Sequence, residues 1–92
     1  MFRLLYHPAV AADDLPLIPR NLRARIARAI EQRLAAAPDR AGTPLRGNLK
    51  GYWKLRAGDY RVVYAVRRTE VWVLAIRHRA TVYTDIPSRL PN

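Results

Sequence analysis

At 92 residues the chain is long enough for one modest hydrophobic core, and with no low-complexity or Ser/Gly-rich stretch to divide it, a single domain over residues 1–92 is expected. The lack of cysteine and a complement of only two histidines, His7 and His78, exclude a disulfide framework and a thiolate zinc site, so neither a metal nor another cofactor is expected. A formal net charge of +10 draws phosphates and acidic proteins, while the absence of a membrane-length apolar run or a signal-peptide pattern points to a cytoplasmic protein with no membrane partner.

In chain order, the apolar run Phe2–Tyr6 predicts a first strand, ended by His7-Pro8, because Pro8 suits the first turn of a following helix. A short helix is expected over PAVAADDL, which holds Asp13 and Asp14, before Pro16 and Pro19 interrupt it. From Arg20 to Ala37, Leu22, Ile26, Ile30 and Leu34 recur every fourth residue, the spacing of one buried helical stripe, and Pro38 closes the helix. Its other face, with Arg23, Arg25, Arg28, Glu31, Gln32 and Arg33, reads as solvated surface. Residues 38–48 carry the Pro, Gly, Asp and Asn of a loop. Three strands are then expected at 49–56, 60–67 and 71–77, joined by connections short enough for hairpins. A last strand at 80–84 and an irregular tail at 85–92 complete the reading.

The charge is uneven: residues 1–45 carry seven basic and four acidic side chains, residues 46–92 ten and three. The basic half is thus the strand-rich half. Because side chains alternate across a strand, parity sorts each segment into two faces. One face gathers Trp53, Leu55, Tyr60, Val62, Tyr64, Val66, Trp72, Leu74, Ile76 and His78, a bulky surface suited to packing against the Leu22–Leu34 stripe. The other gathers Lys50, Tyr52, Lys54, Arg56, Arg61, Arg77 and Arg79 among small residues such as Val63, Ala65, Val73 and Ala75, and Tyr83 joins it if the chain stays extended. The small residues leave room for a ligand, and cations beside aromatic rings suit a nucleic acid, whose phosphates pair with the charges while its bases stack. An ordinary half-solvated sheet carries the same alternation.

The opening strand ending in a polar residue and Pro, the long basic helix, an L-x-G loop (Leu45-Arg46-Gly47 or Leu49-Lys50-Gly51), W-K-L-R-A-G-D-Y-R-V-V-Y (53–64) and I-R-H-R-A-T-V-Y (76–83) together resemble the RelE/ParE toxin superfamily of bacterial toxin-antitoxin systems. The resemblance implies an α+β fold, β-α-α-β-β-β(-β), with two N-terminal helices packed on one face of an antiparallel C-terminal sheet. It also implies a type II toxin that acts either as a RelE-like endoribonuclease on ribosome-bound mRNA or, in the ParE-like alternative, as an inhibitor of DNA gyrase without nuclease activity. A cognate acidic antitoxin is the implied partner in both cases. Residue by residue, the RelE-like pattern carries catalytic roles onto Lys54, Arg61, Tyr83 and an arginine that is Arg77 by spacing to the tyrosine or Arg79 by the His-Arg motif; Lys50, Tyr52, Arg56 and Arg79, gathered on the same face by parity, are the expected RNA-binding positions. Tyr52 stands where some members have a second lysine.

The implied chemistry is a transesterification in which a ribose 2′-oxygen attacks the adjacent phosphate, so the site must accept a proton, donate one and neutralise growing negative charge. With no carboxylate expected on the basic face, Tyr83 becomes the proton acceptor in a field of cations that favours an anion. Lys54 and Arg61 stabilise the phosphorane-like transition state, and Arg77 or Arg79 faces the leaving group. His78 falls on the core side by parity, where a packed, hydrogen-bonded role is expected.

Overall fold

The computed structural model describes residues 1–90 of the chain. Its first strand, β1 (Arg3–Tyr6), leads into a wide helical turn over Val10–Asp14 and a 3-10 turn over Leu15–Leu17. Helix α1 (Arg20–Ala29) follows and widens to π-helical winding over Ile30–Leu34. The repeat of the apolar stripe accounts for the widening. In a helix of 3.6 residues per turn, a strict four-residue spacing drifts around the axis by roughly 40° per step. A longer turn cancels that drift, and Ile26, Ile30 and Leu34 are all buried. A ten-residue helix is marginal alone in water, so this buried stripe, rather than intrinsic propensity, holds α1 in place.

The segment expected as loop folds further. A short helix α2 (Pro38–Ala41) and a two-residue strand β2 (Thr43–Pro44) precede a 3-10 turn over Gly47–Leu49. Strands β3 (Trp53–Ala57), β4 (Tyr60–Arg67) and β5 (Glu70–His78) then run as a meander. The five strands form one mixed sheet in the order β1-β5-β4-β3-β2, with β1 parallel to β5 and the other neighbours antiparallel. The α+β class and the placement of the N-terminal helices over one face agree with the sequence reading.

On that face Val10, Ile18, Ile26, Ile30 and Leu34 meet Leu55, Val62, Tyr64, Val71, Val73 and Ile76. Tyr64 anchors the layer: its ring stacks on Trp53 at 6.3 Å between centroids, and its hydroxyl donates to the Pro38 carbonyl at 2.6 Å. Burial pushes the Tyr64 hydroxyl up to about 12. Gly42 passes so close that a Cβ there would collide with the Tyr64 hydroxyl and the Lys54 carbonyl, which explains a glycine at an otherwise ordinary extended position.

Two departures from regular alternation correct the sequence reading. First, the β4–β5 register steps from Val63↔Ala75 to Tyr64↔Val73, leaving Leu74 as an extra residue, a β-bulge. The bulge exchanges the faces of the first half of β5, so Val71 and Val73 enter the helix-side core while Trp72 turns outward. Second, the expected strand at 80–84 is absent: after His78 the chain turns into α3 (Val82–Asp85) and a 3-10 turn over Ile86–Arg89. The tail is therefore ordered through Arg89, and Pro91 and Asn92 lie outside the described residues. Val82 and Ile86 pack on Val63 and Ala75, with Leu45, Leu49, Tyr52 and Leu90 at the margins. Val63 and Ala75, two of the small residues expected to leave room for a ligand, thus receive a segment of the chain itself. Among the described residues no helix is long and apolar enough to cross a membrane.

Candidate nucleic-acid interface

Arg56, Arg61 and Arg77 are direct cross-strand partners, one from each of β3, β4 and β5, and form a row of three guanidinium side chains on the outer face. Like charges directly opposite each other destabilise a sheet, so each cation needs a countercharge, an acceptor or solvent. Arg56 is exposed. Arg61 curls back on its own hairpin and donates through Nη1 to the carbonyls of Gly58 at 2.9 Å and Tyr60 at 3.0 Å. The first carbonyl belongs to the two-residue loop Gly58–Asp59 and the second to the first residue of β4, and Gly58 takes φ 62, a conformation that favours glycine.

Arg77 is matched differently. Its Nη1 lies 3.1 Å from Asp14 Oδ1 and its Nη2 lies 2.7 Å from Asp85 Oδ2, and its side chain is only 19% exposed. The second contact is ionic but poorly aligned, so the buried Asp85 Oδ2 has charge compensation without a hydrogen bond. Asp14 is fully buried at the edge of β5, beyond the end of β1. It accepts from the Ile76 amide at 2.8 Å and from both Nη atoms of Arg89 at 2.7 Å, while Arg89 Nη1 also donates to the Leu74 carbonyl at 3.2 Å. Burial pushes the Asp14 carboxyl up, but the hydrogen bonds from Arg89, Ile76 and Arg77 prevail and hold it below the usual carboxylate range. Hydrogen bonding to Asp14 likewise raises Arg89. The cluster closes the open edge of β5 and fastens the C-terminal segment across the end of the basic row.

This overturns the expectation that the face carries no carboxylate: Asp85 sits against Arg77 on one side and Asp14 on the other. Neither Asp14, Asp85 nor Arg89 stood out in the sequence as a site residue, and only Asp14, inside a short acidic turn before two prolines, offered a local signal.

Two residue pairs along from the arginine row, Lys54 on β3 faces Val63 on β4. Its Nζ lies 6.0 Å from the centroid of the Tyr83 ring, at the outer limit of a cation–π contact. Tyr83 reaches this place on α3 rather than on a strand: Val82 turns inward to the Val63–Ala75 patch and leaves the tyrosine ring 40% exposed beside Lys54. Tyr52 is half-buried at the edge of the same patch, just before β3. Lys50 lies in the turn before Gly51 rather than on a strand, and its parity assignment lapses. Arg79 follows β5, is largely exposed, and lies 3.8 Å from Asp59 at the β3–β4 loop. His78 takes the helix side, as its parity requires, but is exposed and edge-on to Tyr60 at 5.6 Å, so it is not a core histidine.

The structure therefore brings Lys54 next to Tyr83 and aligns Arg56, Arg61 and Arg77 beside them, while Lys50 and Arg79 stand apart. A helix layer on one face of a mixed sheet and a cationic, partly strapped opposite face define a small basic protein that offers one open side to an anion. The model of a family described as the ParE toxin of the type II toxin-antitoxin system parDE matches residues 4–83, and the chain belongs to the RelE/ParE superfamily of type II toxins. Over 89 residues it is 37% identical to Toxin RelE of Mycobacterium tuberculosis, spanning 91% of this chain and 92% of that relative. Toxin RelG of the same organism is 35% identical over 75 residues, 79% of this chain and 86% of the relative. The crystal structure of the toxin-antitoxin complex RelBE2 from M. tuberculosis contains a chain that superposes with a TM-score of 0.78 at 29% identity, covering 85% of this chain and 98% of that one.

Proposed function

We propose that this toxin is a ribosome-dependent mRNA endoribonuclease of the cytoplasm that arrests translation. The observation that carries this reading is the placement of Lys54 beside Tyr83 at the end of the Arg56–Arg61–Arg77 row, which offers a phosphate several cations and a ring within one small area. The ribose 2′-oxygen attacks the adjacent phosphorus as its proton passes to Tyr83 acting as the phenolate, and the bond to the 5′-oxygen breaks as that oxygen takes up a proton from solvent water, leaving a 2′,3′-cyclic phosphate and a 5′-hydroxyl. Lys54 and Arg61 neutralise the charge that grows on the phosphorane. Arg77, already matched by Asp14 and Asp85, acts by holding the row and α3 in place. Of the two arginines that could face the leaving group, Arg79 is the more exposed, and it would have to leave its 3.8 Å contact with Asp59 to reach it. With no acid and base of matched strength in contact, free RNA is cut slowly, and the ribosome supplies the alignment that raises the rate.

Cleavage of ribosome-bound messenger, mapped by primer extension, tests the assignment. Tyr83→Phe and Arg61→Ala, with folding confirmed, are expected to slow cutting; wild-type rates in both would refute it. One observation favours a second reading: Arg77 is occupied by carboxylates and a tyrosine stands at position 52, which leaves fewer free cations for phosphoryl chemistry. In that case the face only docks, and inhibition of DNA gyrase in a plasmid supercoiling assay without transcript cleavage is the expected result. Either reading includes an acidic antitoxin that covers the basic face by folding onto it; the solved relative RelBE2 is itself a toxin-antitoxin complex. Co-purification with a small acidic protein from the native host tests that part.

A further inference from the structure

The Leu74 bulge puts Trp72 on the open face, where it is 38% exposed and lies directly across from Ala65 of β4. Tyr52, one residue before the Trp53↔Tyr64 pair, comes up on the β3 side of the same alanine. Both aromatic residues line one depression of about 390 Å³, with Ala65 and Leu74 in its floor and Arg67 and Glu70 at its mouth. Adjacent strands lie about 4.8 Å apart, so side chains on β3 and β5 rise roughly 9.6 Å from each other across β4. A flat ring held between two others needs about 7 Å, two contacts of roughly 3.5 Å each. The gap between Tyr52 and Trp72 thus has the width for one planar group, over a floor kept low by a methyl side chain.

We propose that Tyr52 and Trp72 form a stacking slot for a single nucleobase of an RNA strand whose phosphates lie along Lys54 and the arginine row. This rests on the nucleic-acid reading above and extends it to how the strand is held. Charge and continuity select the occupant: Lys54 is two residues beyond Tyr52, which enters β3 beside the same outer patch, so a strand on the cations passes the slot directly. Glu70 sets a preference. Its Oε1 accepts from the Trp72 indole N–H at 3.3 Å, and its Oε2 lies 3.8 Å from the exposed Arg3 guanidinium, beyond hydrogen-bond distance, so the carboxylate keeps acceptor capacity at the mouth. A base edge carrying N–H donors, guanine foremost, complements that carboxylate, whereas an edge of acceptors is repelled.

The test uses the two tryptophans. Replacing Trp53 by Phe keeps the ring stacked on Tyr64 and leaves Trp72 as the sole indole. Titration of that protein with short single-stranded RNAs, one containing guanines and one all uridine, is expected to quench Trp72 in a saturable way and more tightly with guanine. Trp72→Leu, folded by circular dichroism, is expected to weaken binding roughly 5- to 150-fold, while Trp72→Phe retains most of it. Glu70→Gln narrows the gap between the two RNAs. Unchanged indole emission and wild-type affinity in Trp72→Leu, with affinity lost in Lys54→Ala, overturn the slot while leaving the nucleic-acid face standing. Absence of RNA binding altogether overturns both. Quenching by an acidic antitoxin peptide but not by RNA gives the slot to a protein side chain and also overturns the proposal.

Discussion

Replacing Asp14 by Asn removes one negative charge and almost no volume, and so isolates what the buried carboxylate does. Asp14 is fully buried and holds two guanidinium groups that are themselves mostly buried, Arg77 at 19% and Arg89 at 9% side-chain exposure. Removing one partner from such a group leaves uncompensated charge and costs about 3–5 kcal/mol. For a chain of this length total stability is about 5–14 kcal/mol, so the loss is a large share of it. At about 4–8 °C per kcal/mol, the melting temperature at neutral pH is expected to fall by at least about 12 °C, measured by circular dichroism. The pH dependence supplies an independent check. The native carboxyl is held below its usual range, so its contribution is fully present above the unfolded value of about 3.9 and is lost as pH falls through the lower native value. The amide of the variant has no such proton to gain, so the gap between wild type and variant should close on acidification. A variant within about 1 kcal/mol of wild type at neutral pH, or a gap that ignores pH, would refute the assignment of Asp14 as the centre of the cluster.

Other outcomes follow from single positions. Gly42→Ala drives a methyl group into the Tyr64 hydroxyl and the Lys54 carbonyl and is expected to cost about 1–3 kcal/mol in urea unfolding. Arg68 takes φ 56 in the β4–β5 loop, at a position where glycine is at ease, and Arg68→Gly should raise stability by about 0.5–1 kcal/mol once the entropy of glycine is subtracted. Lys54→Ala, on the outer face away from the helix-side core, should leave stability within about 0.5 kcal/mol of wild type. It should also reduce the salt dependence of RNA binding by about one unit of slope in a log–log plot.

Much of the fold was legible because its signals are local. The four-residue apolar stripe of Leu22 to Leu34 and the alternation of β3 and β4 each require only neighbouring residues to read, and both stand in the structure. What was not legible depends on distant partners. No local pattern announces that β5 carries one extra residue, since Trp72, Val73 and Leu74 are all at home in a strand on either face. Thr43–Pro44 becomes a strand only because β3 offers an edge to pair with. At the candidate site, parity correctly grouped Lys54, Arg56, Arg61 and Arg77, whereas the tie from Arg77 to Asp14 spans 63 positions along the chain. Tyr83 came to the same face by a different route, carried on a helical turn whose inward residue is Val82.

Trp72 turns outward because the pairing passes over Leu74. Deleting Leu74 would remove the bulge yet leave Val73 opposite Tyr64 and Trp72 opposite Ala65, whereas one residue inserted between Trp72 and Val73 would carry the indole opposite Val66, beneath the helices, and turn Val71 to solvent, so an insertion could redraw this surface where a substitution could only trim it. Length variation at this point of the strand is thus the change to watch when sister toxins differ in what they grip.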